Sequence, residues 1–486
     1  MLSRWLTVAL TLGLACLAQA QSLPTPVLQA LRGVGVPPSA VGAVVQQIGA
    51  PQPTLAHNAD VPMNPASVMK LVTTYAALEL LGPAYTWRTE AFAGGPINGD
   101  VLEGDLHLRG TGDPKFTIEH FTAFIETLRA RGIREIRGDL VLDRRYYEGT
   151  DVDPGKFDNE PLKPYNVGPD PLLANFKSVR FRFVPDPGLK TFTVIAEPQL
   201  AQVELVADIR GVRGGCGDWR RQIKADIRNS ANAARVVFSG AMPVSCGERD
   251  WYLGLLSHPE FIYGMFKNLW EEAGGVLIGR WRDGPAPRNL PPLARAISPP
   301  LGEIIRDVNK FSNNVMARQV FLTISAELTK LPGRTDRSGR AIHAWLKSKA
   351  IAIPELVVEN GSGLSRIERI SAGGMARLLV AAQKSGVANE LIASLPVFGI
   401  DGTMHGRLRH DAVAAQAFLK GGGLNDVRTI AGYVRDSEGR LLVVAFFINH
   451  ANAERAFPAQ DAFLRWVYTD ASAPLAVNVA GPASRD

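Results

Sequence analysis

The sequence predicts an α+β fold, in which an antiparallel sheet packed with helices is divided by a large β-rich insertion. Strand patterns occur near both ends of the 486-residue chain, at 40–47 and 441–448, so strands from the two ends can share one antiparallel sheet. Helical patterns stand between them, on either side of a long middle region. That region, 87–287, consists of strand-like segments interrupted by Gly, Pro and Asp. The length allows about three domains.

The first twenty residues have the pattern of a secretory signal. Arg4 supplies a positive charge, an apolar run covers 6–17, and Ala18-Gln19-Ala20 fits the small-residue cleavage pattern. The run is too short for a bilayer core, and no second candidate of ~20 apolar residues follows. Lipid attachment at Cys16 is the weaker alternative, because Gly13 stands where such motifs have an aliphatic residue. We therefore expect an exported, periplasmic chain that is cleaved near Ala20 and has no integral membrane anchor.

Charge and cysteine content narrow the expected partners. The formal net charge of +6 favours mild attraction to anionic polymers such as cell-wall material. The basic residues form no stripe with interleaved aromatics, so nucleic-acid binding is not expected. After signal removal, Cys216 and Cys246 remain as an even pair in an oxidising compartment. This predicts a disulfide, and two buried free thiols are the alternative.

The patterns before the insertion predict a hairpin and then a helix. Strands at 40–47 and 54–57 flank the turn Gly49-Ala50-Pro51. A helix over 66–81 follows, with Pro65 at its start and a Gly-Pro stop behind it.

The patterns after the insertion return to helices and end in a hairpin and a helix. The elements predicted there are a linker, two helices, two strands and a closing amphipathic helix, at 285–300, 301–309, 312–328, 429–434, 441–448 and 453–468. The chain therefore divides into a signal, a main domain in two segments, an inserted region and a nested subdomain, at 1–20, 21–86 with 288–486, 87–287 and about 161–243.

A Ser-x-x-Lys motif stands at the start of the first predicted helix. A serine hydroxyl is a weak nucleophile until a base takes its proton, and a lysine is such a base when its surroundings keep it largely neutral. Ser67 and Lys70 lie three residues apart, on one face of a helical turn. About one such motif is expected by chance in a chain of this length, so an ordinary surface turn is the alternative.

Two further segments carry groups suited to the same chemistry. In Ser312-Asn313-Asn314, between two helices, Ser312 can pass a proton to a leaving amine and Asn314 can hold a substrate amide; a helix cap is the alternative. Lys420-Gly421-Gly422-Gly423 leads into the terminal hairpin, as an active-site edge strand does, and a glycine-rich turn is its alternative. The eight histidines include no His-Glu-x-x-His, and we expect no metal and no organic cofactor.

With these segments in order, the chain resembles the penicillin-binding protein 4 family, the class C low-molecular-mass D-alanyl-D-alanine carboxypeptidase/endopeptidases. The resemblance runs through most of the mature chain. Its segments are Asn64-Pro65-Ala66-Ser67-Val68-Met69-Lys70, Gly110-Thr111-Gly112-Asp113-Pro114, Asn309-Lys310-Phe311-Ser312-Asn313-Asn314, Gly361-Ser362-Gly363-Leu364-Ser365-Arg366 and Gly399-Ile400-Asp401-Gly402-Thr403.

The resemblance implies a serine β-lactamase/transpeptidase-like domain that is split by the insertion after the Ser-x-x-Lys helix. It implies that Ser67 attacks the penultimate D-alanine carbonyl of a peptidoglycan stem peptide with Lys70 as base. Protonation through Ser312 then releases the terminal D-alanine, and water resolves the acyl-enzyme. Cleavage of cross-links is the same chemistry with a larger leaving group. β-Lactam antibiotics are expected to be trapped covalently at Ser67.

The resemblance also implies which residues bind the substrate. They are Asn314 and the edge strand with Lys420, Gly422 and Gly423, and the backbone N–H groups of Ser67 and Gly423 are expected to form the oxyanion hole.

One position departs from the family pattern. The family has Thr or Ser after the edge-strand lysine, whereas this chain has Gly421. The missing hydroxyl normally helps to hold the terminal carboxylate, and its loss is worth roughly 1.5 to 3 kcal/mol, or about ten- to a hundredfold in efficiency. We therefore expect a weakened carboxypeptidase. A catalytically silent wall-binding protein and, less favoured, a β-lactamase are the alternatives.

Overall fold

The computed structural model describes residues 22–471 except 187, 189, 231 and 232, so the predicted signal lies outside the described residues. The strands in this part of the chain are β1 Val41–Gln47, β2 Leu55–His57, β3 Arg88–Ala93, β4 Ile97–Asn98, β5 Val101–Leu102, β6 Leu106–Gly110, β7 Glu135–Ile136, β8 Leu140–Asp143, β9 Val179–Asp186, β10 Thr191–Glu197, β11 Val203–Val212, β12 Ile223–Ser230, β13 Ala233–Pro243, β14 Arg249–Leu253, β15 Val276–Leu277, β16 Trp281–Asp283, β17 Ala294–Ile297, β18 Ala417–Leu424, β19 Val427–Arg435 and β20 Leu441–Asn449. The α-helices are α1 Thr25–Gly33, α2 Lys70–Leu81, α3 Ile118–Ala130, α4 His258–Glu272, α5 Leu301–Lys310, α6 Asn314–Thr329, α7 Thr335–Ser348, α8 Ala372–Gln383, α9 Ala388–Ser394 and α10 Phe457–Thr469.

Strands from both ends of the chain form one antiparallel sheet, in the order β18-β19-β20-β1-β2. β1 pairs with β20 along its whole length, from Val41 opposite Ile448 to Gln47 opposite Leu442. Both faces of the sheet are covered, which is why β1 reads as a continuous apolar run. One face packs against α1 and α10, and the other against α8 and the helices around α2. The α+β fold and the shared sheet predicted from the sequence are confirmed.

The helix α2 is the centre of the helical layer. Every residue from Lys70 to Leu78 is buried, and α5, α6 and α7 pack around it. The helix ends at Leu81 and is capped by Gly82, which has φ +83° and so takes a conformation that suits glycine. Its first turn differs from the prediction of one α-helix over 66–81, because Ala66–Met69 form a 3₁₀ turn before α2 begins.

The inserted region and β17 form three further sheets with a hydrophobic core of their own. Their strand orders are β16-β8-β6-β3-β17, β15-β7-β5-β4 and β12-β13-β11-β10-β9-β14. The prediction of a linker over 285–300 is wrong in part, because Ala294–Ile297 form β17, which pairs with β3. The six-stranded sheet carries the predicted disulfide, which joins Cys216 to Cys246. The boundaries that divide the chain into domains stay a prediction.

The last helix begins later than predicted. The pattern indicated a helix over 453–468, whereas Ala453–Arg455 form a 3₁₀ turn and α10 starts at Phe457. Pro458 explains the difference, because proline lacks an N–H donor and is accommodated in the first turn of a helix. Within the described part of the chain, no helix is long and apolar enough to span a bilayer.

Candidate active site

Ser67 and Lys70 meet where the 3₁₀ turn passes into α2. A 3₁₀ turn aligns side chains that are three residues apart, and Lys70 Nζ lies 3.0 Å from Ser67 Oγ. Lys70 is fully buried, whereas Ser67 is partly exposed. The hydroxyl is therefore accessible from outside and its neighbouring amine is not.

The surroundings of Lys70 favour a neutral amine. Its Nζ donates to Asn314 Oδ1 at 2.6 Å and to the Ser362 carbonyl oxygen at 2.5 Å. A neutral amine has two N–H donors, so these two oxygens use both and the lone pair is left for the Ser67 hydroxyl. Burial lowers the pKa of Lys70 well below its ordinary value, and the nearby charge of Lys420 lowers it further.

A buried carboxylate holds the loop that carries Ser362. Glu368 Oε1 accepts the backbone N–H groups of Glu359, Asn360 and Gly361 at 3.0 to 3.1 Å. The negative charge of Glu368 raises the pKa of Lys70 and so opposes the effect of burial. The sequence reasoning gave Glu368 no role, because an isolated glutamate outside any motif carries no signal of burial.

Ser312 and Lys420 form the second part of the site. Lys420 Nζ donates to Ser312 Oγ at 2.7 Å and to the Gly421 carbonyl oxygen at 2.7 Å. Burial lowers the pKa of Lys420 to about 7. Ser312 has φ +58°, a left-handed conformation that costs a non-glycine residue energy and is concentrated at functional sites.

The two asparagines after Ser312 have different roles. Asn313 caps α6, because its side chain accepts the Met316 N–H at 3.1 Å. The helix-cap alternative therefore describes Asn313. Asn314 turns inward, where its Oδ1 accepts from Lys70 and its Nδ2 donates to the Tyr165 carbonyl oxygen at 3.1 Å. Asn314 thus connects the buried amine to the inserted region, a contact that sequence spacing did not indicate.

Lys420 and the three glycines after it lie on β18, the edge strand of the sheet. The backbone of Gly422 passes so close to the nucleophile that an added Cβ would lie 2.9 Å from Ser67 N and 2.7 Å from the Pro65 carbonyl oxygen. An added Cβ on Gly421 would instead meet the terminal methyl of Met404. Glycine is required at 422 by close approach, whereas at 421 a flexible thioether fills the space beside the backbone.

Thr429 and Asn449, from the far end of the chain, hold the backbone before Ser67 in place. We call these two residues the latch. Asn449 and Asn64 are joined by two hydrogen bonds, of 2.7 and 3.0 Å. Thr429 Oγ1 donates to the Pro65 carbonyl oxygen at 2.7 Å. Directly after these contacts Ala66 has φ +44°, a strained conformation that the latch stabilises. Sequence reasoning missed Thr429 and Asn449, since neither belongs to a motif.

A cleft of about 450 Å³ opens beside Ser312 and Asn314. Tyr165 and the exposed ring of Phe311 line it, and it extends to β9 and β10 of the inserted region. The site thus has room for a substrate that continues beyond the scissile bond. No three His, Cys, Asp or Glu side chains are grouped as a metal site in the described part of the chain.

Comparison with known proteins gives consistent results. The family model of the D-Ala-D-Ala carboxypeptidase 3 (S13) family matches residues 31–469. The chain is 29% identical over 394 residues to the D-alanyl-D-alanine carboxypeptidase of Actinomadura sp. (strain R39), which covers 78% of this chain and 72% of that protein. It is 25% identical over 426 residues to D-alanyl-D-alanine carboxypeptidase DacB of Haemophilus influenzae, which covers 85% of each.

Solved structures share the fold. Penicillin binding protein 4 (dacB) from Haemophilus influenzae superimposes with a TM-score of 0.75 and 22% identity, over 91% of this chain and 98% of that chain. Its complex with a β-lactam superimposes with a TM-score of 0.71 and 21% identity, over 92% and 100%. The predicted resemblance to the penicillin-binding protein 4 family is confirmed. The chain belongs to the D-Ala-D-Ala carboxypeptidase 3 (S13) family and is a serine-type D-Ala-D-Ala carboxypeptidase.

Proposed function

We propose that Ser67 is the nucleophile of this carboxypeptidase and Lys70 its base. The observation that carries the proposal is the position of the Lys70 amine, 3.0 Å from Ser67 Oγ with its two other contacts made to carbonyl oxygens. A buried amine of lowered pKa can take the hydroxyl proton at neutral pH.

Acylation begins when Ser67 Oγ attacks the carbonyl carbon of the penultimate D-alanine and its proton passes to Lys70. The negative oxygen of the tetrahedral intermediate faces the backbone N–H groups of Ser67 and Gly423. The C–N bond then breaks as the proton held by Lys70 is relayed to the leaving nitrogen through Ser312, whose hydroxyl is bonded to Lys420, and Lys70 becomes neutral again. The products are free D-alanine and an ester at Ser67. Lys70 then takes a proton from the attacking water, the ester C–O bond breaks, and that proton passes to Ser67 Oγ. This restores the serine and releases the stem peptide with a new terminal carboxylate.

The same steps support cleavage of peptidoglycan cross-links. A cross-link differs from the stem peptide in the size of its leaving amine, and the cleft beside Ser312 reaches the inserted region. We propose endopeptidase activity on this ground. β-Lactams fit the same chemistry, because attack by Ser67 opens the ring to an ester, and the Haemophilus influenzae relative is known in complex with such a compound.

The substrate of this enzyme lies outside the cytoplasm, so we propose that the chain is exported and that the pattern in its first twenty residues is the signal. Peptidoglycan is the proposed partner.

Intact-mass spectrometry of the wild type and Ser67→Ala after incubation with benzylpenicillin tests the nucleophile. The wild type should gain one drug mass and the variant none, while both keep the same circular dichroism spectrum. D-Alanine release from a D-Ala-D-Ala peptide should be lost in the same variant. A folded wild type without an adduct would favour the silent wall-binding alternative, and rapid turnover of the drug would favour a β-lactamase.

A further inference from the structure

Arg428 of β19 lies beside the glycine edge of β18. It stands opposite Gly423 in the antiparallel register. A Cβ added to Gly423 would lie 2.5 Å from Arg428 Nη1, so the guanidinium lies against the exposed backbone of Gly423. Because the N–H of Gly423 is proposed for the oxyanion hole, this cation stands next to the position of the reacting carbonyl.

The guanidinium of Arg428 is held in place without a direct ion pair. Its Cζ atom lies 4.3 Å from the centre of the Phe457 ring. Nε is buried and has no acceptor, and Nη2 makes a long contact of 3.5 Å with the Glu454 carbonyl oxygen. Among the described residues no carboxylate oxygen lies within 4.0 Å of it. Arg407 lies near the same ring but is paired with Asp461. Burial lowers the pKa of Arg428, and the nearby charge of Glu454 opposes this effect.

The other side chains on the edge strand β18 offer no free hydrogen-bond donor, because they are absent or already bonded. Gly421 has no side chain, and Met404 fills the space beside it. Lys420 Nζ donates to Ser312 and to the carbonyl oxygen of Gly421. Arg428 therefore retains unused donors beside Gly423, two residues along the same strand edge from Gly421, where the hydroxyl of the family is missing. A half-buried guanidinium with free N–H groups matches a carboxylate, which accepts two parallel hydrogen bonds.

We propose that Arg428 binds the carboxylate of the terminal D-alanine and so replaces the hydroxyl that Gly421 lacks. The inference rests on the proposed function and deepens it. The terminal carboxylate follows the scissile carbonyl by one residue, a distance of roughly 4 Å along the chain. A cation against Gly423 lies within that reach. The enzyme then prefers peptides with a free terminal carboxylate over amides, and β-lactams with a free carboxylate over their esters.

Acylation rates of Arg428→Gln test the proposal against a matched control. Benzylpenicillin carries a carboxylate and its methyl ester does not, so the ratio of their second-order acylation rates reports on carboxylate binding. Arg428→Gln should lower the rate with benzylpenicillin by about tenfold or more and leave the ester within about twofold. Arg428→Lys should recover part of the loss. Arg455→Gln, which removes an exposed charge from the neighbouring 3₁₀ turn, should change neither rate.

Binding without catalysis separates this proposal from the proposed nucleophile. In a Ser67→Ala background, the affinities of acetyl-Lys-D-Ala-D-Ala and its C-terminal amide are compared by NMR titration. The carboxylate should bind more tightly than the amide, and adding Arg428→Gln should remove the difference. Arg428 does not bind the carboxylate if Arg428→Gln lowers the affinities of both ligands equally, or the acylation rates of both β-lactams equally. The same holds if the folded variant changes neither the affinities nor the rates. If the wild type forms no adduct with either drug, the proposed function fails and the titration still decides about Arg428.

Discussion

A buried lysine that must be neutral to work is sensitive to every charge around it. Burial and the charge of Lys420 lower the pKa of Lys70, whereas the carboxylate of Glu368 raises it, so the pKa is a balance of opposed effects. The pH at which acylation begins therefore reports on residues that never contact the substrate.

Glu368→Gln should move the acidic limb of the acylation profile to lower pH. The ionised carboxylate raises the pKa of Lys70, so its removal lowers that pKa and leaves the amine neutral in more acidic solution. The measurement is the second-order rate of benzylpenicillin acylation between pH 5 and 9. Glu359→Gln, on the exposed part of the same loop, is the control and should leave the limb in place. A limb that moves to higher pH in Glu368→Gln would contradict the assignment of Lys70 as base.

The edge strand β18 brings the lysine and the oxyanion backbone to the nucleophile through close contact between main chains. This works because position 422 has no side chain, and the two glycines around it have different neighbours. The close contact of the strand with the nucleophile can therefore be tested by replacing single glycines with alanine.

Gly422→Ala should lower benzylpenicillin acylation at least a hundredfold, while Gly421→Ala should lower it less than about threefold. At 422 the new methyl meets main-chain atoms of Pro65 and Ser67, which cannot move without shifting the nucleophile. At 421 it meets only the end of the Met404 side chain, which can turn away. Equal losses in the two variants would show that β18 is not held against the serine as described.

Restoring a hydroxyl at 421 should rescue the loss of Arg428. Met404 must yield space, so the variant is Gly421→Thr with Met404→Ala, compared with Met404→Ala alone. In the Arg428→Gln background the threonine should raise D-alanine release by about tenfold or more, and with Arg428 present the gain should be smaller. A large gain with Arg428 present would instead support the weakened enzyme expected from the sequence, and no gain in either background would show that Gly421 is not limiting.

The elements of the site could be predicted from the sequence, but its long-range contacts could not. Ser67 and Lys70 are close in the chain, so helical spacing alone places them together. Lys420 reaches Ser312 across 108 residues, and Asn449 reaches Asn64 across 385. Such pairings are decided by tertiary packing. The hairpin of β1 and β2 was predictable because its period and turn residues are local, whereas the 3₁₀ turn before α2 depends on the latch around Pro65.

At the scale of the molecule, the catalytic sheet and the inserted sheets have separate hydrophobic cores. The disulfide belongs to the inserted part, so its contribution to stability and the chemistry at Ser67 are expected to be independent.

Replacing both cysteines by serine should destabilise the inserted region by roughly 3 to 4 kcal/mol, because the bond closes a loop of about thirty residues. Calorimetry should show the transition of that region at lower temperature. Acylation by benzylpenicillin at 25 °C should be unchanged, since the bond lies outside the sheet that carries Lys420. A parallel loss of acylation would mean that the two parts do not behave independently.

The pairing of β1 with β20 also determines when the enzyme becomes active during its own synthesis. A ribosome makes Ser67 and Lys70 early, yet Lys420, Thr429 and Asn449 follow them much later in the sequence. A nascent chain that ends before β18 holds the nucleophile and its base but has neither the edge strand nor the latch that fixes Pro65 and Ala66. An incomplete chain therefore has no complete active site. The hydrolase is assembled only after β18, β19 and β20 have been made and can pair with β1, and shorter chains have no edge strand with which to bind substrate.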